Sequence, residues 1–261
     1  DIVSKCTLRT DLVVTGILIA ISINKWNTSM QNNSKEDKIL KQLQHEYQSN
    51  LVQLEEKIGL RTAMIKSSFK LLDYATKGVK EEDLNNFDMN LARTAIAPTY
   101  NPANGVSEEL INSGNLYLIK NEKLRIKLTQ WNGYLLDLKE EEDILLDFTT
   151  DQYAKFIIDN YQIANVLMEN FKDSIFVKRY KLTKSNLSIL ENKKGNPSKM
   201  LSNPDFEDHV LLIVYYCDYI NDQSEGIKVK MYEILDLLTQ RNILRSRISH
   251  KVSWSFIQFY R

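Results

Sequence analysis

Three long stretches of this chain place apolar residues at helical spacing, and that periodicity limits the fold more than any other feature. In the first, Leu40, Leu43, Tyr47, Leu51, Leu54, Ile58, Ile65, Phe69 and Leu72 follow one another at 3.6-residue steps, with Thr62 the single polar break. The second carries Leu124, Leu128, Trp131, Leu135, Leu138, Leu145, Tyr153 and Phe156. The third carries Phe206, Val210, Ile213, Cys217, Ile220, Ile227, Met231, Leu235 and Leu238. No alternation of strand and helix signals appears. The pattern predicts an all-α chain: an elongated antiparallel bundle of long helices, with 34–244 as the helical bundle domain. A 3.6-residue step predicts fairly straight helices rather than a heptad seam.

Local signals set the expected boundaries. Ser34 to Asp37 reads as a capping box, and Gly78 as the residue that ends the first helix. A short helix over 81–93 follows, then a loop over 94–105 holding Pro98, Pro102 and the Asn104-Gly105 pair. A second short helix starts at Ser107 and stops at Gly114. Asn121 is placed to cap the second long helix, and Asn203-Pro204-Asp205 marks the start of the third. Residues 165–194 are less regular.

A different kind of signal lies near the beginning. Leu12 to Ile23 is twelve residues without a charge. As a helix it covers about 18 Å, against roughly 30 Å of bilayer hydrocarbon. Lys25 and Trp26 follow it, residue types that favour the headgroup level. Residues 12–27 are therefore expected as a transmembrane or anchor helix in contact with membrane lipid, after a short N-terminal segment, 1–11. A cleaved signal and a buried core helix stay open as alternatives. The basic residues Lys5 and Arg9 before the run, and Lys25, Lys35, Lys38 and Lys41 after it, do not fix an orientation.

Two blocks carry a resemblance to a known family. The segment from Asp11 to Asn27, with its apolar stretch ending in Ile23-Asn24-Lys25-Trp26-Asn27, resembles the signature of an uncharacterised family of single-span envelope proteins common in Bacteroidetes. The segment from Glu109 to Arg125, with Ser113-Gly114-Asn115-Leu116 and Ile119-Lys120-Asn121-Glu122, resembles that family's second block. The resemblance covers about residues 11–150. It implies a bacterial inner-membrane protein with its N-terminus inside and its helical domain in the periplasm. It implies no activity, since the family has none established.

Chemistry is scarce. There is no Gly-rich phosphate loop, nucleophile elbow or zinc motif, and none of His45, His209 and His250 has a Glu three residues before it. No catalytic, cofactor-binding or metal-binding residue is expected, and no enzyme. Thirty-four basic and 34 acidic residues leave no excess for a nucleic-acid surface. Cys217 falls on an apolar stripe and reads as a buried thiol, while Cys6, before the apolar run, is a weak acylation cue. The acidic run from Asp137 to Asp151 reads as a solvated face, apart from Glu142. Glu142, Thr62 and Ser224 interrupt the three stripes near mid-helix, so antiparallel packing would gather them in one polar layer. That layer would act as a register device, or as a small-ligand site. Gly16 and Ala20 offer a small-residue pair for a homodimer. The segment 245–261 is a basic and aromatic C-terminal tail, packed on the bundle or touching an anionic surface. The expected function is a membrane-anchored structural or protein-interaction module of the envelope, with a small-ligand sensor signalling through the anchor as the alternative.

Overall fold

In a computed structural model, the backbone of residues 2–172 and 195–258 is described, as are the side chains of 12–169 and 195–239. Every regular element among the described residues is helical. Helix α1 runs from Ile2 to Lys77, and Gly78 follows it in the left-handed region at φ 77°, as a C′ glycine should. A 3₁₀ turn, Glu81–Asp83, leads into α2, Leu84–Thr94. Residues 95–104 are not helical. Then come α3, Gly105–Asn112, a second 3₁₀ turn at Asn115–Leu118, and α4, Glu122–Asp147. One π-helical turn, Phe148–Tyr153, joins α4 to α5, Ala154–Asn160; α6 is Ile163–Lys172. After the short α7, Ser198–Leu201, α8 runs unbroken from Asp205 to Gln258.

The chain divides into two compact units. One comprises residues 1–48, 103–129 and 234–261; the other comprises 49–102 and 130–233. Helices α1, α4 and α8 each contribute to both. In the second unit the direction of α8 follows from its partners. Met64 meets Cys217, Arg61 meets Ser224 and Glu55 meets Lys228, so residue numbers rise on α1 as they fall on α8. Phe148 beside His209 and Tyr134 beside Lys230 give the same antiparallel sense between the α4–π-turn segment and α8.

The burial period corrects the expected 3.6-residue stripe. On α1 a buried line runs through Glu36, Leu40, Leu43, Tyr47, Asn50, Leu54, Lys57, Arg61, Met64, Ser68 and Leu71 in alternating steps of four and three, with Glu46, Leu60 and Ser67 buried beside it. On α8 they are Phe206, Val210, Ile213, Cys217, Ile220, Ser224, Ile227, Met231, Ile234 and Leu238, with the same alternation. Helix α4 keeps it too, through Leu124, Leu128, Trp131, Leu138, Glu142 and Leu145. A 3.5-residue period is that of a coiled-coil seam. Several seam positions on α1 are polar, so tracing apolar residues alone drifts off it. Ile58 and Ile65 are half-buried and Phe69 is 56% exposed. Leu235 likewise yields its place to Ile234. The π turn contributes one extra residue after Leu145, so that Phe148, Tyr153 and Ile157 are buried beside Thr149 and Phe156, where an uninterrupted seam would have buried Gln152.

Two boundaries also differ from expectation. Ser34 lies inside α1 rather than at a helix start, because the helix continues through 28–33. Residues 245–258 are the end of α8 rather than a separate tail. The caps at Asn121 and Asn203 do form: their side-chain oxygens accept from the Leu124 amide at 3.2 Å and the Asp205 amide at 3.0 Å.

Helix α1 also corrects the transmembrane assignment of 12–27. Among the described residues no helix is long and apolar enough to cross a membrane. The charge-free run is bounded by Asp11 on one side and Asn24-Lys25 on the other, which holds it to about 18 Å. All side chains from Leu12 to Gln31 are exposed.

Candidate functional site

The polar interruptions of the three seams do meet, and Arg61 is the group that joins them. Arg61 and Glu142 occupy seam positions on α1 and α4 and are 0% and 2% exposed. Arg61 Nη1 donates to Glu142 Oε1 at 2.8 Å and to the Pro98 carbonyl at 3.3 Å. Nη2 donates to Ser224 Oγ at 2.7 Å, and Nε to Asn221 Oδ1 at 2.9 Å. Ser224 donates in turn to the Ile220 carbonyl. Glu142 Oε2 accepts from the Tyr100 amide at 2.7 Å. Thr62 lies at the edge of the layer, linked through Asn221 Nδ2 at 3.3 Å. So Glu142 and Ser224 bond to Arg61 directly, and Thr62 does so through Asn221.

Both Glu142 oxygens accept hydrogen bonds, one from a cation, which fits the ionised carboxylate. Burial nonetheless pushes the Glu142 carboxyl above the usual carboxylate range, against the opposing pull of the Tyr100 amide, Arg61 and Lys57. Burial lowers the Arg61 guanidinium from its ordinary value, and Glu142 opposes that shift. Burial and the Glu142 charge both raise the Tyr100 phenol. Cys217 lies within the same layer, its sulfur 3.9 Å from that of Met64, and burial pushes its thiol up to about 12. It behaves there as a small hydrophobe, not a nucleophile.

The small-ligand reading of this layer needs a vacancy, and the protein fills it. Four of the five Arg61 donors and both Glu142 oxygens are taken by protein groups. What the layer does is fasten the segment after α2 to the bundle. Arg61 holds the Pro98 carbonyl, Glu142 the Tyr100 amide and Gln53 the Asn101 amide, the last at 2.9 Å.

The other unit repeats the device. Glu46, 6% exposed on α1, accepts from the Val106 amide at 2.7 Å, the Ser107 amide at 3.2 Å and Ser107 Oγ at 2.5 Å. It caps α3 from outside, where the N-cap residue Asn104 makes no side-chain cap bond. Glu36, 0% exposed, accepts from the Lys120 amide at 2.7 Å. Buried carboxylates on the long helices thus grip backbone amides at 100, 106, 107 and 120. Sequence reasoning found Glu142 but neither Arg61 nor Glu46. The available signal was spacing: steps of four and three from Leu54 pass through Lys57 and reach Arg61.

Of the remaining residues singled out by sequence, Gly16 and Ala20 lie in the exposed run of α1, and His45 is exposed. His209 stacks on Phe156 with ring centroids 4.6 Å apart. The side chains of Cys6, His250 and the basic residues after Gln240 lie outside the described residues. Among the described residues no group of three His, Cys, Asp or Glu side chains is placed to hold a metal.

The segment that these carboxylates hold lies inside a recognisable family. Residues 9–157, more than half of the chain, match a family of unknown function, DUF6090. The chain belongs to this family. No curated protein and no solved structure matches it. The matched residues contain the apolar run, Arg61, Glu142, Glu36, Glu46 and the whole segment they grip; α8 lies beyond them.

Proposed function

We propose that this protein is a non-enzymatic structural or protein-interaction module of the bacterial envelope, tethered to the inner membrane through the apolar run of α1, with its helical units in the periplasm. The observation that carries the reading is the exposure of that run. Leu12, Val13, Val14, Ile17, Leu18, Ile19, Ile21 and Ile23 are 45–77% exposed and lie on every side of the helix. A helix that is apolar all round belongs in a protein core or in lipid, and these side chains are exposed among the described residues. Burying one such side chain is worth about 1.5–3 kcal/mol, so the run supplies ample drive to leave water. Trp26, 66% exposed, and Lys25 stand where an indole and an amine would meet the headgroups. The periplasmic placement rests on the resemblance to single-span envelope proteins of Bacteroidetes.

The test is flotation of the full chain with vesicles of phosphatidylethanolamine and phosphatidylglycerol. The reading predicts that the wild type floats with the vesicles and that Ile17→Glu with Ile21→Glu stays at the bottom of the gradient. Equal flotation of both proteins would contradict it.

A further inference from the structure

The seam on α1 leaves a second set of apolar residues unused, and α8 has a matching face. Ile58, Thr62, Ile65 and Phe69 follow one another at steps of four, three and four, beside the seam rather than on it. On α8, Tyr215 and Tyr219 are 63% and 42% exposed, and Leu211 extends the same face at 49%. Ile58, Thr62, Tyr215, Tyr219 and Asn221 line a groove of about 510 Å³ in the second unit, and Asp218, Asp222 and Glu225 give it an acidic rim. Glu225 is paired with Lys228 at 3.3 Å, whereas neither Asp218 nor Asp222 has an ion pair among the described residues. The groove thus offers Ile58, Tyr215 and Tyr219 as apolar and aromatic surface within a mostly polar lining, with the acids Asp218 and Asp222 beside them. A partner that fits is a helix with basic and aromatic residues.

The chain itself contains such a segment. Residues 237–261 carry Arg241, Arg245, Arg247, Lys251 and Arg261, no acid, and the aromatics Trp254, Phe256, Phe259 and Tyr260. Residues 215–225 and 241–258 belong to the same helix, α8. We propose that the acidic groove between α1 and α8 receives the basic C-terminal segment of a second copy of this chain. This deepens the interaction reading by naming the partner, and it is independent of the membrane tether: vesicle flotation tests the tether, and the oligomeric state tests the groove.

The experiment is sedimentation equilibrium of the full chain in detergent micelles. The wild type is expected to be a dimer whose dissociation constant rises with salt. Asp218→Lys with Asp222→Lys should weaken it about tenfold, and so should Arg245→Glu with Arg247→Glu in an otherwise unchanged chain. Combining all four substitutions should restore association to near the wild-type value. Circular dichroism of each variant checks that the helices are intact; the acids changed are exposed, so the fold should not depend on them. A monomeric wild type overturns the proposal. So does a dimer indifferent to the acidic pair, which would be held elsewhere, such as at Gly16 and Ala20. Weakening that the tail reversal fails to repair also overturns it, because the groove's occupant would then be another protein.

Discussion

Removing Glu142 should cost far more than one hydrogen bond, and the reason is that Arg61 cannot follow it. In Glu142→Leu the guanidinium remains, 0% exposed, with only the neutral acceptors Asn221, Ser224 and the Pro98 carbonyl around it. An arginine does not shed its charge to escape burial. Breaking one side of such a pair costs about 3–5 kcal/mol, and the Tyr100 amide, left without its acceptor, adds to that. Against a total of roughly 5–15 kcal/mol this is a large fraction, equivalent to a fall of about 10 °C in Tm for a chain of this size. Arg61→Leu differs in kind. Glu142 then keeps the Tyr100 amide and can take a proton, so the cost should shrink as the pH is lowered from 7 to 5. Replacing both residues removes both charges, and the double variant should lose much less than the sum of the singles. Urea unfolding of the four proteins followed by circular dichroism at pH 7 and pH 5 reads all of this. Single variants that each lose under about 1 kcal/mol, or losses that simply add, would refute the reasoning.

Further outcomes follow from the same geometry. Because burial raises the Glu142 carboxyl, the folded state holds its proton more tightly than the unfolded chain does. The proton-linked part of its contribution is fully present below the ordinary carboxylate range and lost as the pH rises through the folded value, while the Arg61 ion pair and the Tyr100 bond remain at neutral pH. Comparing Glu142→Gln with the wild type from pH 7 to pH 4 should therefore show the difference moving in favour of the wild type on acidification. In a Cys6→Ser background, Cys217, with its thiol near 12, should not react with a disulfide reagent at pH 8 until the protein is unfolded. Glu46→Ala removes the acceptor for the Val106 and Ser107 amides, and should cost about 1–2 kcal/mol and speed hydrogen exchange at the start of α3. A Cβ at Gly195 would overlap the Tyr161 hydroxyl, which donates to Asp88. Gly195→Ala should lower stability by about 1–3 kcal/mol in thermal unfolding.

How far the sequence carried this picture differs from element to element. Gly78, Asn121 and Asn203 act through local chain geometry, so their roles as helix ends could be read from residue type and position. The all-helical class could be read for the same reason. The seam could not, because the choice between a 3.5- and a 3.6-residue period depends on which residues tertiary contact buries. Lys57, Arg61 and Ser68 are buried despite being polar, and Phe69 is exposed despite being apolar. Thr62, Glu142 and Ser224 were visible as faults in apolar stripes. Arg61, which binds the last two, was hidden one residue from the apparent fault. Glu46 was hidden more deeply, since nothing local connects it to amides 60 residues further along the chain. The π turn at Phe148–Tyr153 leaves no single-residue mark either; it shows only as a phase change between Leu145 and Tyr153.

The account's central claim is that the exposed run of α1 belongs in a membrane. Carbonate extraction of native-host membranes, combined with protease added to intact spheroplasts, tests it most directly. The account predicts that the protein stays with the membrane pellet and that external protease removes its bulk. Release into the carbonate supernatant, or a chain that external protease cannot reach, would contradict it.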